Sequence, residues 1–303
     1  MVKDITGGSA AIAAGAVDGA AAAVDGAAAA ADAAGALIDI GVNLTHDSFD
    51  ADREAVMARA AGVGVVQMVV TGSDARSSQQ ALGLALAHPG RLFATAGLHP
   101  HHAAELDTPL EEQLRQLGQR PEIVAIGECG LDYFRNLSPP AAQRRAFQRQ
   151  LQLAAELQKP VFLHQRDAHA DFSAMVREFR GQLRDAVAHC FTGTQDQLHC
   201  YLELGLAIGI TGWICDERRG RHLLPLLPQI PAGRLMLETD APYLLPRDVQ
   251  PRPSSRRNEP AWLAHIAATV ARARHESLAS IAASSTAAAR VFFGLPSPAP
   301  ASP

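Results

Sequence analysis

Five residues of types that bind metal ions or transfer protons each follow a short apolar segment of the sequence. The segments lead into GLHPH, GECG, FLHQRD, AHCFTG and LETDAPYL, and the five residues are His99, Glu128, His164, His189 and Asp240. Taken singly, such a histidine is more often a hydrogen-bonded structural residue, and such an aspartate is often a helix cap. Taken together, they predict a mixed nitrogen and oxygen site for Mg²⁺, Mn²⁺ or Zn²⁺, which would activate water for hydrolysis.

The apolar segments themselves indicate how these residues would be brought together. There are eight of them, at residues 37–41, 64–70, 92–97, 122–127, 160–164, 185–189, 206–210 and 234–238. Each is continuous rather than alternating, as in strands that are covered on both faces. The segments between them are amphipathic; in residues 139–160, for example, Phe147, Leu151 and Ala154 recur at helical spacing.

Eight strand and helix units in about 260 residues predict an α/β fold, a (β/α)8 TIM barrel, rather than an open sheet of about five or six strands. Residues at the carboxyl ends of barrel strands share one mouth, so the five candidates are expected to meet there. Two closing helices are expected over residues 258–273 and 276–292. Asn258 is the predicted N-cap of the first, ahead of Pro260.

Composition limits the class of protein. The 303-residue chain is 48% hydrophobic and 19% charged, with a formal net charge of −4. This fits a globular enzyme and disfavours a protein that holds nucleic acid by a broad basic face, so phosphate chemistry would need a local positive centre such as a metal. No apolar stretch reaches the roughly 18 residues that cross a bilayer, and the four cysteines form no CxxC pair. We expect a soluble cytoplasmic monomer with no membrane association.

The two ends differ in composition from the rest of the chain. Residues 1–35 are rich in alanine and repeat every seven residues, with Asp18, Asp25 and Asp32 in register. They lack large apolar side chains, so we predict a disordered low-complexity extension. Residues 295–303 form a Pro-rich tail. The predicted barrel domain covers residues 36–294.

Four cysteines and two further histidines have simpler interpretations. Cys129 and Cys190 directly follow candidate ligands, and if the strands continue, alternation turns both away from the mouth to pack against helices. Cys200 and Cys215 have no partner at ligand spacing and are expected to be structural. In the remaining pair, His101 is expected to support His99 or to touch substrate. His102 begins a polar segment and is expected to be solvated.

The later loops on the mouth side carry basic residues: Arg166, Arg218, Arg219, Arg247, Arg256 and Arg257. They would follow a phosphate backbone, while Trp213 and Tyr243 offer faces on which bases stack. Ordinary surface charge is the alternative for each arginine. All of these side chains except Arg247 are retained as candidate substrate-binding residues.

Several long motifs resemble the TatD family of metal-dependent deoxyribonucleases. They are DIGVNLT, TAGLHPH, VAIGECGLD, RDAH, HCFTGT, GITGWICDERRG, ETDAPYLLPRD and PSSRRNEP, and the resemblance covers about residues 37–294. It implies a TIM barrel of the metal-dependent hydrolase type that cleaves phosphodiesters with Mg²⁺ or a similar cation. It further implies a 3′→5′ exonuclease acting on single-stranded DNA and RNA, with an associated role in repair after oxidative damage.

Site residues also follow from the resemblance. The family's metal ligands correspond to Glu128, His164, His189 and Asp240, and the catalytic histidine of its HPH motif corresponds to His99. Asp240 would serve as a ligand or as the base that orients water. His99 would contact the phosphate or protonate the leaving oxygen, because a histidine pKa near neutrality suits either role.

The chain departs from the family at its first motif. Most relatives carry a D-x-H-x-H signature, but Gly41 and Asn43 stand at the two histidine positions here. Asn43 offers at most an oxygen, so a second metal position would be weak. Losing two imidazoles shifts the expected cation towards Mg²⁺ or Mn²⁺ and away from a tightly held Zn²⁺.

Two other functions remain open from the sequence. A metal-activated water also attacks carbonyls, so the barrel could hydrolyse an amide or ester, including an aminoacyl ester on tRNA. A barrel that binds nucleic acid without cleaving it is the other possibility. The arginine-bearing loops favour a phosphate substrate, and the intact set of candidate ligands favours catalysis.

Overall fold

In this computed structural model, residues 35–297 are described, and they form a parallel eight-stranded barrel. Nearly all of the predicted N-terminal extension, and residues 298–303 of the predicted tail, lie outside this range. The strands follow chain order, each pairing in parallel with the next. They are β1 (Leu37–Val42), β2 (Val65–Val70), β3 (Leu92–Ala96), β4 (Ile123–Asp132), β5 (Val161–Arg166), β6 (Ala186–Ala188), β7 (Ala207–Ile210) and β8 (Leu235–Leu237). All eight predicted strands are therefore confirmed.

The sheet closes because the segment after β8 bonds to β1. The backbone N–H of Asp240 donates to the carbonyl of Gly41 at 2.8 Å, and that of Asn43 donates to the carbonyl of Ala241 at 2.8 Å. These bonds lie just beyond the end of β8, on the side where the carboxyl ends of the strands open. Closure thus places Asn43 and Asp240 beside each other at the mouth.

Helices cover the outside of the barrel. They are α1 (Arg53–Gly62), α2 (Ala75–Ala87), α3 (Thr108–Gly118), α4 (Pro140–Leu157), α5 (His169–Phe179), α6 (Gln195–Glu203), α7 (Leu263–Arg274) and α8 (Leu278–Phe293). Between β7 and β8 the chain forms 3-10 turns at Gly212–Cys215 and Arg221–Gln229 instead of an α-helix. Pro225 and Pro228 lie inside the second turn, where each removes a backbone donor that an α-helix would need.

The two closing helices are confirmed, but the predicted cap of the first is wrong. A 3-10 turn at Pro260–Trp262 precedes α7, which begins at Leu263. Asn258 is fully buried, and its side-chain amide donates to the carbonyls of Thr239 and Tyr243 at 2.9 and 2.6 Å. It therefore fastens the loop after β8 rather than the start of a helix.

The apolar core has two parts. One lies between the strands and the surrounding helices. The other fills the barrel, where Ile40, Phe162 and Met236 are fully buried and pack in one cluster with Phe292 and Phe293 of α8. Leu295 belongs to this inner cluster too, so the packed domain extends past the predicted boundary at residue 294. Truncating a buried phenylalanine such as Phe162 to alanine costs about 3–5 kcal/mol of stability.

Among residues 35–297, no helix is both long enough and apolar enough to cross a membrane.

Candidate active site

Glu128 enters the mouth from β4 between two glycines with positive φ. Gly127 has a φ of 135° and Gly130 a φ of 147°, a region that residues with a Cβ rarely adopt. A Cβ at Gly127 would overlap the backbone oxygen of Phe162, and one at Gly130 would overlap that of His164. The GECG motif therefore lets β4 lie close against β5 with the carboxylate of Glu128 directed into the mouth.

One oxygen of Glu128 lies within reach of three histidine rings. Its Oε1 is 2.9 Å from Nε2 of His189, 3.0 Å from Nδ1 of His164 and 3.4 Å from Nε2 of His99. These residues come from the carboxyl-terminal halves of four strands or from the segments that follow them, as the barrel arrangement predicts. Glu128, His189 and His99 are buried, so their interactions are poorly screened by water.

The charges of this cluster shift its pKa values strongly. Burial disfavours the charged form of Glu128, but His189 and His99 oppose that effect and hold the pKa of Glu128 well below its usual range. Burial likewise acts to lower the pKa of His189, but the carboxylates of Glu128 and Glu238 raise it well above the ordinary value. The pKa of His164 is raised because hydrogen bonds to Asp132 and Glu128 outweigh burial.

His99 differs from the expectation of a histidine titrating near neutrality. Burial lowers the pKa of His99 to about 3, so the ring is neutral at physiological pH. The backbone N–H of His101 donates to Nδ1 of His99 at 3.1 Å, which leaves the ring proton on Nε2. His99 can therefore donate a hydrogen bond into the mouth, but it does not carry the extra proton of an imidazolium acid.

Asp132 is a site residue that the sequence analysis missed. Its Oδ2 is 2.9 Å from Nε2 of His101 and 3.4 Å from Nε2 of His164. Its Oδ1 accepts from the backbone of Arg135 at 2.7 Å. Hydrogen bonds from His164, Arg135 and His101 outweigh burial and lower the pKa of Asp132. Asp132 follows Glu128 by four residues in β4, so strand alternation predicts both on the same face.

Glu238 is a second missed residue. It is fully buried; its Oε2 lies 3.2 Å from Nδ1 of His189, and its Oε1 accepts from the backbone of Cys190 at 2.5 Å. The carboxylate fills a space bordered by Gly41 and Gly209, where a Cβ on either glycine would overlap it. Glu238 precedes Asp240 by two residues, so alternation would also have placed it towards the barrel axis.

Asp240 follows β8 and lies beside Asn43 at the mouth. Nδ2 of Asn43 donates to its Oδ1 at 2.9 Å. Burial raises the pKa of Asp240 to about 7. Asn43 thus presents its amide nitrogen to Asp240 and leaves its own oxygen as the only donor it can offer to a cation.

The residues present fit a divalent cation. One ligand atom from each of His99, Glu128 and His164 lies within 4.8 Å of the others. Nε2 of His164 is buried, and among the described residues it makes only a long contact of 3.4 Å to Oδ2 of Asp132, so this ring nitrogen is available to a further group. His189 offers Nε2 towards Glu128 while Glu238 lies against its Nδ1. A carboxylate behind a histidine is the arrangement that orients a metal-binding ring.

Above this cluster lies an open cleft of about 940 Å³. Six of the eight predicted substrate-binding side chains line it: His101, Arg166, Trp213, Arg219, Tyr243 and Arg256. Two of the arginines stack on aromatic rings. The guanidinium of Arg219 is 4.3 Å from the centre of the Trp213 ring, and that of Arg166 is 4.0 Å from that of Phe134. Phe134, which is 56% exposed, was not predicted.

Two predicted arginines lie outside the lining of this cleft. Arg257 makes ion pairs with Asp52 and Glu259, each at 2.8 Å, and donates to the carbonyl of Ser48. It is a half-buried tie between the β1 side of the barrel and the loop before α7. Arg218 is 62% exposed and points its Nε to within 3.8 Å of Asp216.

The minor histidine and cysteine predictions have mixed outcomes. His102 pairs with Glu105 at 2.7 Å and stays partly exposed at the rim. Cys129 is buried in the outer core as expected. Cys190 instead lines the cleft with a φ of 47°. Because β6 ends at Ala188, strand alternation does not continue to Cys190, and the prediction that it turns away is wrong.

Comparison with known proteins agrees with this geometry. Residues 38–294 match the family model described as TatD related DNase. A protein of Pantoea vagans (strain C9-1) named 3′-5′ ssDNA/RNA exonuclease TatD is 56% identical over 259 residues, which cover 86% of this chain and 100% of that protein. A protein of the same name from Erwinia billingiae (strain Eb661) is 54% identical over 260 residues, with the same two shares.

Solved structures agree on the fold. The crystal structure of YJJV, a TatD homolog from Escherichia coli K12, superposes with a TM-score of 0.78 at 30% identity, covering 86% of this chain and 98% of that one. A hydrolase TatD family protein from Entamoeba histolytica superposes with a TM-score of 0.77 at 26% identity, covering 86% and 99%. Both likenesses span the barrel and its site.

Proposed function

Since the chain belongs to the TatD-related DNase family, we propose that it removes nucleotides from the 3′ ends of single-stranded DNA and RNA in a reaction that requires a divalent cation. The observation that carries the proposal is the convergence of three imidazoles on one oxygen of Glu128, at 2.9, 3.0 and 3.4 Å, below an open cleft. Relatives that share more than half of their residues with this chain are named for that activity.

We assign Glu128, His164 and His189 as ligands of the principal cation, with Asp240 at its border. Mg²⁺ is the proposed cation, with Mn²⁺ and Zn²⁺ as the alternatives to compare, because an open cleft with several carboxylates suits an ion that keeps part of its water shell. When bound, the cation would offset phosphate charge and make a nearby water more acidic. His99 is left out of the ligand set because its Nε2 carries a proton.

The remaining steps belong to the side chains. Asp240, one oxygen of which accepts a hydrogen bond from Asn43, would accept a proton from the attacking water. His99 is placed to donate its Nε2 hydrogen bond to a phosphate oxygen, where charge grows during the reaction. Glu238 keeps the ring of His189 in one orientation, and Asp132 does the same for His101.

The cleft walls provide the means to hold a single strand. Trp213 and Tyr243 present aromatic faces, and Arg219 and Arg256 add positive charge beside them. Bases stack on such faces with little sequence preference, and arginines follow the backbone. The stacked Arg219 and Trp213 pair favours a phosphate-bearing strand over a small neutral amide or ester.

The deciding experiment is digestion of single strands labelled at either the 5′ or the 3′ end, with the cation varied after exhaustive chelation. The proposal expects release of the 3′ label first, activity restored by Mg²⁺, and loss of activity in Glu128→Ala. An enzyme that stays active in EDTA contradicts the cation requirement. Release of the 5′ label first contradicts the polarity alone.

A further inference from the structure

A second group of metal-binding side chains lies on the outside of the barrel. Cys215 ends the 3-10 turn after β7, Asp248 is in the loop after β8, and His265 is in the first turn of α7. One ligand atom from each lies within 4.8 Å of the other two. In the sequence these residues are separated by 33 and 17 positions, which is why Cys215 looked unpartnered there.

The three residues differ in character from those of the active site. Cys215 is buried, and its thiol faces the hydroxyl of Thr269 at 3.6 Å. Nε2 of His265 is 2.7 Å from Oδ1 of Asp248, so a ring nitrogen and a carboxylate already face each other beside the sulfur. Asp248 and His265 remain 39% and 28% exposed, and this leaves a route for an ion to enter from solvent.

We propose that Cys215, Asp248 and His265 form a second cation site, selective for Zn²⁺. Thiolate, imidazole and carboxylate are the ligands of tetrahedral zinc, whereas Mg²⁺ avoids sulfur. Zinc bonds of about 2.0–2.3 Å place tetrahedral ligand atoms roughly 3.3–3.8 Å apart. The ligand atoms of Cys215, Asp248 and His265 lie within 4.8 Å of one another, so small side-chain rotations bring them to these distances. Binding displaces the thiol proton to solvent, and a water completes the fourth position.

The cysteine, aspartate and histidine group borders a cavity that is separate from the catalytic cleft. A cavity of about 490 Å³ adjoins Cys215 and Asp248, and Glu217 also lines it as a further oxygen donor. Arg221 and Arg272 also line it; their positive charge acts against a cation and would be offset by the carboxylates of Asp248 and Glu217 and by the Cys215 thiolate. None of the described residues that line this cavity also lines the catalytic cleft.

The proposed zinc site lies beside the two loops that carry residues of the catalytic cleft. Cys215 is two residues from Trp213, and Asp248 is next to Arg247, whose Nε lies 3.6 Å from Asp216. Asp216 in turn holds Arg219 at 2.9 Å. A zinc ion at this place would fasten the two loops that form one wall of the cleft to α7. The site would therefore be structural, and its loss would loosen substrate binding without removing a group that performs chemistry.

Cobalt gives a test that does not depend on nuclease activity. The full chain is stripped with a chelator, and Co²⁺ alone is added in steps. A thiolate bound to Co²⁺ produces a charge-transfer absorption in the near ultraviolet, which histidine and carboxylate ligands do not. We expect this band in the wild type and in Glu128→Ala, whose active site is disabled, and we expect Zn²⁺ to remove it by displacement.

Single substitutions identify the side chains that bind the Co²⁺ responsible for this absorption band. Cys215→Ser should lose it, whereas Cys190→Ser, which lacks the thiol at the catalytic cleft, should keep it. Asp248→Asn and His265→Gln retain the thiol and should weaken Co²⁺ binding at least tenfold, so they decide the question even if Cys215→Ser fails to fold. No band in the wild type, a band that depends on Cys190, or unchanged affinity in both retained-thiol variants overturns the proposal.

Discussion

The carboxylate of Glu238 occupies the space that a side chain at Gly41 would need. A Cβ built on Gly41 overlaps Oε2 of Glu238, the same atom that lies 3.2 Å from Nδ1 of His189. Gly41 stands where the resemblance to the family leads us to expect a histidine. The two arrangements exclude each other, because an imidazole at position 41 and the present position of Glu238 cannot coexist. A glycine at the first histidine position of the D-x-H-x-H signature is therefore sterically required while Glu238 fills this space.

Gly41→Ala tests this relationship by adding a single methyl group. Overpacking of a filled site should cost about 1–3 kcal/mol of stability and should lower activity by displacing Glu238. Gly83→Ala is the matched control, because Gly83 lies in α2 and its added methyl would meet no atom within 4 Å. Urea unfolding measures both, and the control should be neutral or slightly stabilising. Equal stability of the two variants would mean that Glu238 does not fill this space.

Glu238→Gln tests whether the buried carboxylate orients His189. Loss of such a partner behind a metal ligand typically costs about 10–100-fold in metal affinity or activity. We expect the rate to require a higher Mg²⁺ concentration, with activity partly restored at saturation. Glu112→Gln, on the exposed side of α3, is the control. A metal titration of the rate identical to that of the wild type would remove Glu238 from the site.

His99→Ala tests the assigned hydrogen-bond donor. Removing one donor to a developing negative charge costs about 10²–10³-fold in kcat, and His99→Gln, which keeps an N–H, should recover part of the loss. Because burial lowers the pKa of His99 to about 3, the ring stays neutral between pH 5 and pH 8. The pH profiles of wild type and His99→Ala should then have the same shape in that range. A limb that disappears in the variant would show that His99 titrates there.

Arg257→Ala separates a structural arginine from a substrate-binding one. The side chain ties Asp52 to Glu259, so its loss should lower stability by about 1–3 kcal/mol with KM unchanged. Arg219→Ala is the contrasting variant, since Arg219 lines the cleft. It should raise KM and reduce the salt dependence of binding while leaving the urea midpoint nearly unchanged. A raised KM in Arg257→Ala with normal stability would reverse the assignment.

The ion pair between Arg257 and Asp52 predicts that the difference in stability between wild type and Arg257→Ala changes with pH under acidic conditions. The hydrogen bond from Arg257 is the main cause that lowers the pKa of Asp52 to about 2, against an ordinary value of 3.8. A depressed carboxyl pKa stabilises the fold above the ordinary pKa and loses that contribution as the pH falls through the folded value. The gap in urea midpoint between wild type and Arg257→Ala should be constant from pH 7 to pH 5 and should shrink below pH 4.

Much of the site could be predicted from the sequence because barrel strands are short and end in a shared mouth. Glu128, His164 and His189 were found as the reactive residues that follow apolar segments, and the structure brings them together. Asp132 and Glu238 also follow from strand alternation, because Asp132 lies four residues after Glu128 and Glu238 lies two residues before Asp240.

Other features depended on contacts between distant residues. Whether Arg257 faces substrate or Asp52 depends on a partner 205 positions away in the sequence, which periodicity cannot indicate. The orientation of Cys190 depended on β6 ending at Ala188, and strand ends are set by pairing with neighbours. The cysteine, aspartate and histidine group on the outer face is a third case, because its members meet only when the loops after β7 and β8 pack on α7.

The inner apolar cluster, which contains Phe162, Phe292 and Phe293, fills the interior of the barrel and blocks any passage through it. A strand that enters the mouth cannot pass through, so the released nucleotide and the shortened strand must leave by the opening through which the substrate arrived. Departure of one product then has to precede each new advance of the strand. Free mononucleotides should therefore slow turnover by competing for that opening.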